Sequence, residues 1–327
     1  MKISLRHFEL RRLNAWTCVA CFVVLVAYPA AAQQPSQVPD DDFAPAVAEP
    51  AYLSGGPTVA IDGAHHNLHT AEGGFRPFAE LLRRDGYTVT GSNEPFTERA
   101  LASVDVLVIA NALAGDARTD ASSPAFTADE CDAVLTWVKA GGSLLLIADH
   151  RPFGSASAVL AERFGVDFGE GYVADPLQSR GAVTTLHFGS GAGLLAAHPI
   201  SRGRSQAERV VEVLAFTGQS LSVPPGATAI LSLSASAVEL ETADALQGYL
   251  STGDGAARPV GHRAVLMAMP FGEGRVVVAG EAAMFTAQIF RSASGSEMPF
   301  GLNTPGTSNQ QLVLNVLHWL SGALPDE

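Results

Sequence analysis

From residue 58 to residue 164 the chain alternates short apolar runs with segments of helical period. Residues 58–61, 87–90, 106–110 and 143–148 have the length and composition of strands in a buried parallel sheet. Between them, Phe78, Leu81 and Leu82 share one helical face that Gly86 ends, and residues 96–102 predict a second, shorter helix. A third helix opens on Thr127 and Glu130, a T-x-x-E capping box, and repeats apolar positions at Cys131, Val134, Leu135 and Val138 before Gly141-Gly142. A fourth covers residues 155–164 and closes at Gly165. Strand and helix in strict alternation predict an α/β fold with a doubly wound, mostly parallel sheet.

The second half has a different rhythm. Residues 210–215, 227–232, 264–269 and 275–279 read as strands with little helix between them, and Gly272-Glu273-Gly274 turns the last two into a hairpin. The C-terminal half is therefore predicted to be β-rich. Residues 239–261 are polar and contain glycine, the pattern of an exposed insertion. Ser308 and Gln311 are placed to cap a final helix that turns Leu312, Val313, Val316, Leu317 and Leu320 inward. Residues 33–57 have no hydrophobic period, are rich in Pro, Ala and acid, and predict a disordered, solvated linker.

The N-terminal 32 residues follow another logic. Lys2, Arg6, Arg11 and Arg12 precede an apolar run over residues 16–28, and Ala30-Ala31-Ala32 supplies small residues before Gln33. This is the pattern of a cleaved secretory signal, and the run is too short for the roughly 20 residues of a spanning helix. The expected product is periplasmic or secreted, with one domain over residues 58–322. Two of the three cysteines, Cys18 and Cys21, leave with the leader, so Cys131 has no partner for an intramolecular disulfide.

Composition narrows the classes of function. A net charge of -13 with 20 Lys and Arg argues against nucleic acid as a partner, since counterion release needs clustered cations. With 47% hydrophobic and 16% charged residues the chain can bury a full core.

In an open parallel sheet, ligands bind beyond the carboxyl ends of the strands. The polar residues collect there: Asp62, His65, His66 and His69 after the first strand, Asn111 after the third, Asp149 and His150 after the fourth, and Glu281 after the hairpin. Asp62, His65, His66, Asn111, Asp149, His150 and Glu281 are the candidate ligand cleft. Asp62, His65, His69, Asp149 and His150 could instead hold a divalent metal for hydrolysis, with Glu281 as general base, although their spacing matches no zinc motif. No G-x-S-x-G elbow is present. Gly154-Ser155-Ala156-Ser157 opens a helix where an anion could approach backbone amides, or is simply a cap. A cleft that binds sugar hydroxyls without turnover needs an aromatic platform, for which Phe75, Phe153 and Phe285 are candidates.

The segments Ile61-Asp62-Gly63-Ala64-His65-His66-Asn67, GGSLLLIADH at 141–150, HPISRG at 198–203 and NQQLVLNVLHWL at 309–320 resemble an uncharacterised branch of the class I glutamine amidotransferase-like superfamily. Its relatives include auxiliary domains of gliding-type ABC transporters, an intraflagellar-transport domain and the trimerisation domain of some β-galactosidases. The resemblance implies a flavodoxin-like sheet. Members with glutaminase activity carry a Cys on a G-x-C-x-G elbow, which this chain lacks, so the resemblance implies binding of ligands or proteins rather than amide hydrolysis; beside the polar strand edge, the expected ligand is a small molecule, a glycan or another cell-envelope component. An envelope protein partner, engaged through the 239–261 insertion, is the remaining alternative.

Overall fold

The computed structural model describes residues 36–115, 123–253, 255–292 and 295–326. The expected leader, with Cys18 and Cys21, lies outside the described residues. The first half runs β1 (Ser36–Pro39), β2 (Thr58–Asp62), α1 (Arg76–Arg84), β3 (Thr88–Ser92), α2 (Glu98–Leu101), β4 (Val106–Ala110), α3 (Ala128–Lys139), β5 (Ser143–Ile147) and α4 (Phe153–Glu162). The second half continues with β6 (Tyr172–Ala174), β7 (Ser179–Arg180), β8 (Ala182–Gly189), α5 (Pro199–Arg202), β9 (Glu212–Phe216), β10 (Thr228–Ser232) and β11 (Val238–Leu240). It ends with α6 (Ala243–Thr252), β12 (Ala257–Pro259), β13 (Ala264–Phe271), β14 (Gly274–Ala279), β15 (Ala287–Arg291), β16 (Glu297–Gly301) and α7 (Asn309–Leu320).

A seven-stranded sheet in the order β10-β13-β14-β5-β4-β2-β3 forms the centre. Its strands β3, β2, β4, β5 and β14 are parallel, while β13 and β10 add antiparallel pairings at one edge. Read in chain order, the parallel strands give the 2-1-3-4-5 arrangement of flavodoxin-like sheets, with its switch point between β2 and β4. The doubly wound α/β class and the β-rich second half are as the pattern predicts.

Successive residues of each strand face opposite layers, so each apolar run feeds two cores. Val106, Val108, Leu145 and Ile147 pack with Phe78, Leu82 and Leu317 from α1 and α7. Leu107, Ile109, Leu144 and Leu146 pack with Cys131, Val134 and Leu160 from α3 and α4. Burial on both faces explains why these strands are continuously apolar.

Two expectations are corrected. Residues 33–57 were expected to be a solvated linker, yet β1 pairs antiparallel with β15, and Phe43, Val47 and Tyr52 pack against the core. The pairing joins residues more than 240 positions apart, so no local period could announce it. The 239–261 insertion is mostly exposed, as expected, but it is ordered into β11, α6 and β12, with β11 paired to both β12 and β6 and Glu239 buried. Ser308 does not cap α7 with its side chain; its hydroxyl accepts from the Val211 amide at 3.2 Å, and Gln311 donates to Asn315 at 2.9 Å. The Thr127–Glu130 capping box does form, with both reciprocal bonds present. Among the described residues no helix is long and apolar enough to cross a membrane.

Candidate functional site

Beyond the carboxyl ends of β4 and β5 lies a cavity of about 740 Å³. Its floor carries Asn111 and Asp149 from those strand ends, with His69 from the loop after β2 and His150. The small sheets supply its walls. Gln37 and Pro39 come from β1, Thr184 and Thr185 from β8, Phe216 from β9, Phe290 from β15 and Phe300 from β16, while α6 adds Leu246 and Gln247.

Tight backbone geometry holds the floor. Asn111 has φ +50 and accepts the Asp149 amide on its side-chain oxygen at 2.9 Å. Thr217, at φ +64, is β-branched in a region such residues avoid, and its amide is tied to the Thr184 carbonyl at 2.7 Å. Both line the cavity, and held strain of this kind gathers at ligand sites. Gly218 (φ +70) lets this loop close on the end of β14, since a Cβ there would stand 2.6 Å from the Gly280 carbonyl oxygen. Gln219 then reaches under the floor and donates to the Ala148 and Asp149 carbonyls at 2.8 and 2.9 Å.

The predicted cleft residues divide into two groups. Asn111, Asp149 and His150 line the cavity, joined by His69 from the predicted metal set. Asp62, His65, His66 and Glu281 do not. His65 is locked between carboxylates: Nδ1 lies 2.9 Å from Asp62 Oδ2, and Nε2 lies 2.9 Å from Glu130 Oε1. Carboxylates only accept, so both ring nitrogens carry protons and the ring is an imidazolium. Burial opposes that charge, but Asp62 and Glu130 outweigh it and raise the pKa. Phe96 and Phe126 pack against the ring at 4.6 and 4.8 Å. Asp62 also accepts from Ala64 N and from the Asn67 side-chain amide. Every strong donor and acceptor of this triad is therefore satisfied inside the protein. His66 points to solvent with φ +45.

Glu281 is fully buried and accepts the Ala283 and Met284 amides at 2.6 and 2.8 Å. Burial, with the charge of Asp149 added, pushes it well above the usual carboxylate range. Asp149 is pushed up by burial too, although His150 and the His150 and Ala282 amides pull the other way. Glu281 is thus a buried support rather than a base facing the cleft. His150 stacks on Tyr172 at 4.4 Å, and His69 stacks on Phe75 at 5.0 Å over Gly74. Burial lowers His69 to about 4 and keeps it neutral.

The predicted metal set does not fit a metal. His65 has no free ring nitrogen, Asp62 is spent on it, and among the described residues no three His, Cys, Asp or Glu side chains converge as ligands. At the start of α4 no side chain caps the helix, and the Gln219 side chain packs against Gly154. Cys131 is buried on α3 and its thiol is pushed up to about 11, chiefly by burial. Of the predicted platform rings, Phe75 and Phe285 are core, and only Phe153 reaches the cavity. Sequence reasoning missed Tyr172, Phe216, Phe290 and Phe300, together with the partner role of Glu130. Their only signal was aromatic residues in short strands.

The family model described as "Domain of unknown function (DUF4350)" matches residues 67–288, and the chain belongs to that family. No curated protein matches. Among solved structures, the mmIFT52 N-terminal domain is similar at 17% identity and TM-score 0.55, covering 81% of this chain and 97% of that one. A thua-like protein from Bacteroides uniformis ATCC 8492 shares 14% identity at TM-score 0.44, covering 85% and 94%. A cytoplasmic protein from Salmonella typhimurium LT2 shares 15% at TM-score 0.43, covering 82% and 99%. At these identities the first likeness speaks for the fold alone.

Proposed function

We propose that this DUF4350 chain is an exported binding protein of the amidotransferase-like fold, without a nucleophile, that takes a glycan or other cell-envelope ligand in the cleft. The observation that carries the reading is the lining of the 740 Å³ cavity, where hydroxyl and amide groups alternate with aromatic rings. Thr184, Thr185, Thr217, Gln247 and Gln288 offer neutral hydrogen bonds, and Phe153, Tyr172, Phe216 and Phe290 offer flat apolar faces. A sugar ring, with hydroxyls on its rim and C–H groups on its face, needs both kinds of surface. Hydrolysis finds less support: the one thiol among the described residues is buried, and both ring nitrogens of His65 are taken by carboxylates.

Co-sedimentation with isolated envelope polysaccharide tests this. The purified protein should pellet with it, and His150→Ala and Asp149→Asn should each release at least half of the bound fraction. Binding unchanged in both variants would overturn the cleft as the site. Export rests on the pattern of residues 1–32. Expression of the full chain should yield a product beginning at Gln33 outside the cytoplasm, and an unprocessed cytoplasmic product would contradict it.

A further inference from the structure

We propose that the ligand carries a basic amine, an amino sugar being the class that fits, and that its ammonium seats on the Asp149 carboxylate; this rests on the glycan-binding reading above. The sign of charge in the cleft is the first argument. Among the described residues lining it there is no Lys or Arg, and Asp149 is its sole acid. Its chain neighbour two residues on, Arg151, turns away into a second cavity of about 430 Å³ that Arg258 also lines. There Arg151 lies 3.6 Å from Glu170. The fold thus keeps its Arg side chains close by but outside the main cleft, so a phosphate or carboxylate ligand finds no Lys or Arg to pair with there.

The second argument is what stands behind Asp149. Glu281 is fully buried, and its charge is met by backbone amides, those of Ala283, Met284 and Phe216, rather than by a cation. Asp149 likewise leans on amides, those of His150 and Ala282 at 2.7 and 3.3 Å. A fully buried Glu281 beside a half-buried Asp149 whose nearest imidazole nitrogen is 3.9 Å away resists joint ionisation, and an ammonium at Asp149 supplies a closer positive charge. The groups beside Asp149 that could compete are His150, whose Nε2 is 3.9 Å away, and the Tyr172 hydroxyl. Independently of the acids, the walls are aromatic. Phe153, Tyr172, Phe216, Phe290 and Phe300 line the same cavity, and ring faces attract organic cations through the aromatic quadrupole. A carboxylate floor under aromatic walls, with threonine and glutamine for hydroxyls, suits an aminated sugar better than a neutral one.

Calorimetric titration of the purified protein at pH 7 with the glucosamine tetrasaccharide and with its fully N-acetylated counterpart tests this. The amine form should bind at least tenfold tighter, and Asp149→Asn should reduce it to the affinity of the acetylated form. Equal or tighter binding of the acetylated form, or a preference that survives Asp149→Asn, overturns the inference while leaving the cleft as a glycan site. If neither tetrasaccharide binds but the protein still pellets with envelope polysaccharide through the cleft, the amine is likewise ruled out. Failure of both assays removes the glycan reading as well.

Discussion

Two acid–histidine groups sit on the same sheet edge and differ in what is left unspent. At Asp62, His65 and Glu130 each ring nitrogen meets a carboxylate at 2.9 Å, and the group is sealed by Phe96 and Phe126. At Asp149, His150 and Glu281 the acids lean on backbone amides, the His150 ring meets the Arg151 carbonyl, the Tyr172 ring and, at a loose 3.9 Å, Asp149, and a cavity opens beside them. The same residue types build a clasp in one place and a binding surface in the other. Saturation of hydrogen bonds, rather than residue identity, separates the two.

The sharpest way to break the comparison is to open the clasp. His65→Ala strands two carboxylates and should cost about 3–5 kcal/mol in denaturant unfolding, as removal of one partner from a buried ion pair does. The pH dependence has a definite sign. Because the folded pKa of His65 is raised above its ordinary value of 6.5, the native state holds the extra proton more firmly. The clasp's contribution is complete below about pH 6.5 and is lost as pH rises through the folded pKa, a trend that His65→Gln should remove. Deleting residues 33–41 should cost less, about 1–2 kcal/mol, since β1 is mostly exposed. It should nevertheless weaken ligand binding at least fivefold, because Gln37 and Pro39 wall the cleft.

On the open side stability again falls as pH rises, but removing the charge now helps the fold. Asp149 and Glu281 have raised pKa values, so their ionisation above that range disfavours the fold. Asp149→Asn should therefore raise stability at neutral pH by on the order of 1 kcal/mol while lowering ligand affinity. The smallest change is expected from Gly74→Ala, whose Cβ would meet His69 Nδ1 at 2.4 Å. The ring can swing into the cleft, so stability should fall by about 1 kcal/mol or less. Ligand affinity, read by titration, should fall further than stability.

Much of this architecture could be read from the chain. Leu107–Ile109 and Leu144–Leu146 declare buried strands because both faces of the sheet are covered, and Thr127 and Glu130 declare a helix start because capping is local. What escaped depends on distance in sequence. Glu130 reads as a cap, yet its other oxygen serves His65, 65 residues away. Val38 and Pro39 read as linker because their partners, Ile289 and Gln288, lie at the far end of the chain. The positions of Asn111 and Asp149 followed from strand ends alone, whereas the aromatic walls came from three small sheets whose pairing no local period encodes.

Nitrogen-15 NMR of the imidazole rings at pH 7 addresses the contrast at its root. His65 should show both nitrogens protonated, as a ring held between two carboxylates must, while His69 should be neutral, consistent with a pKa lowered to about 4. A neutral His65 beside a charged His69 would contradict the division into a closed clasp and an open cleft.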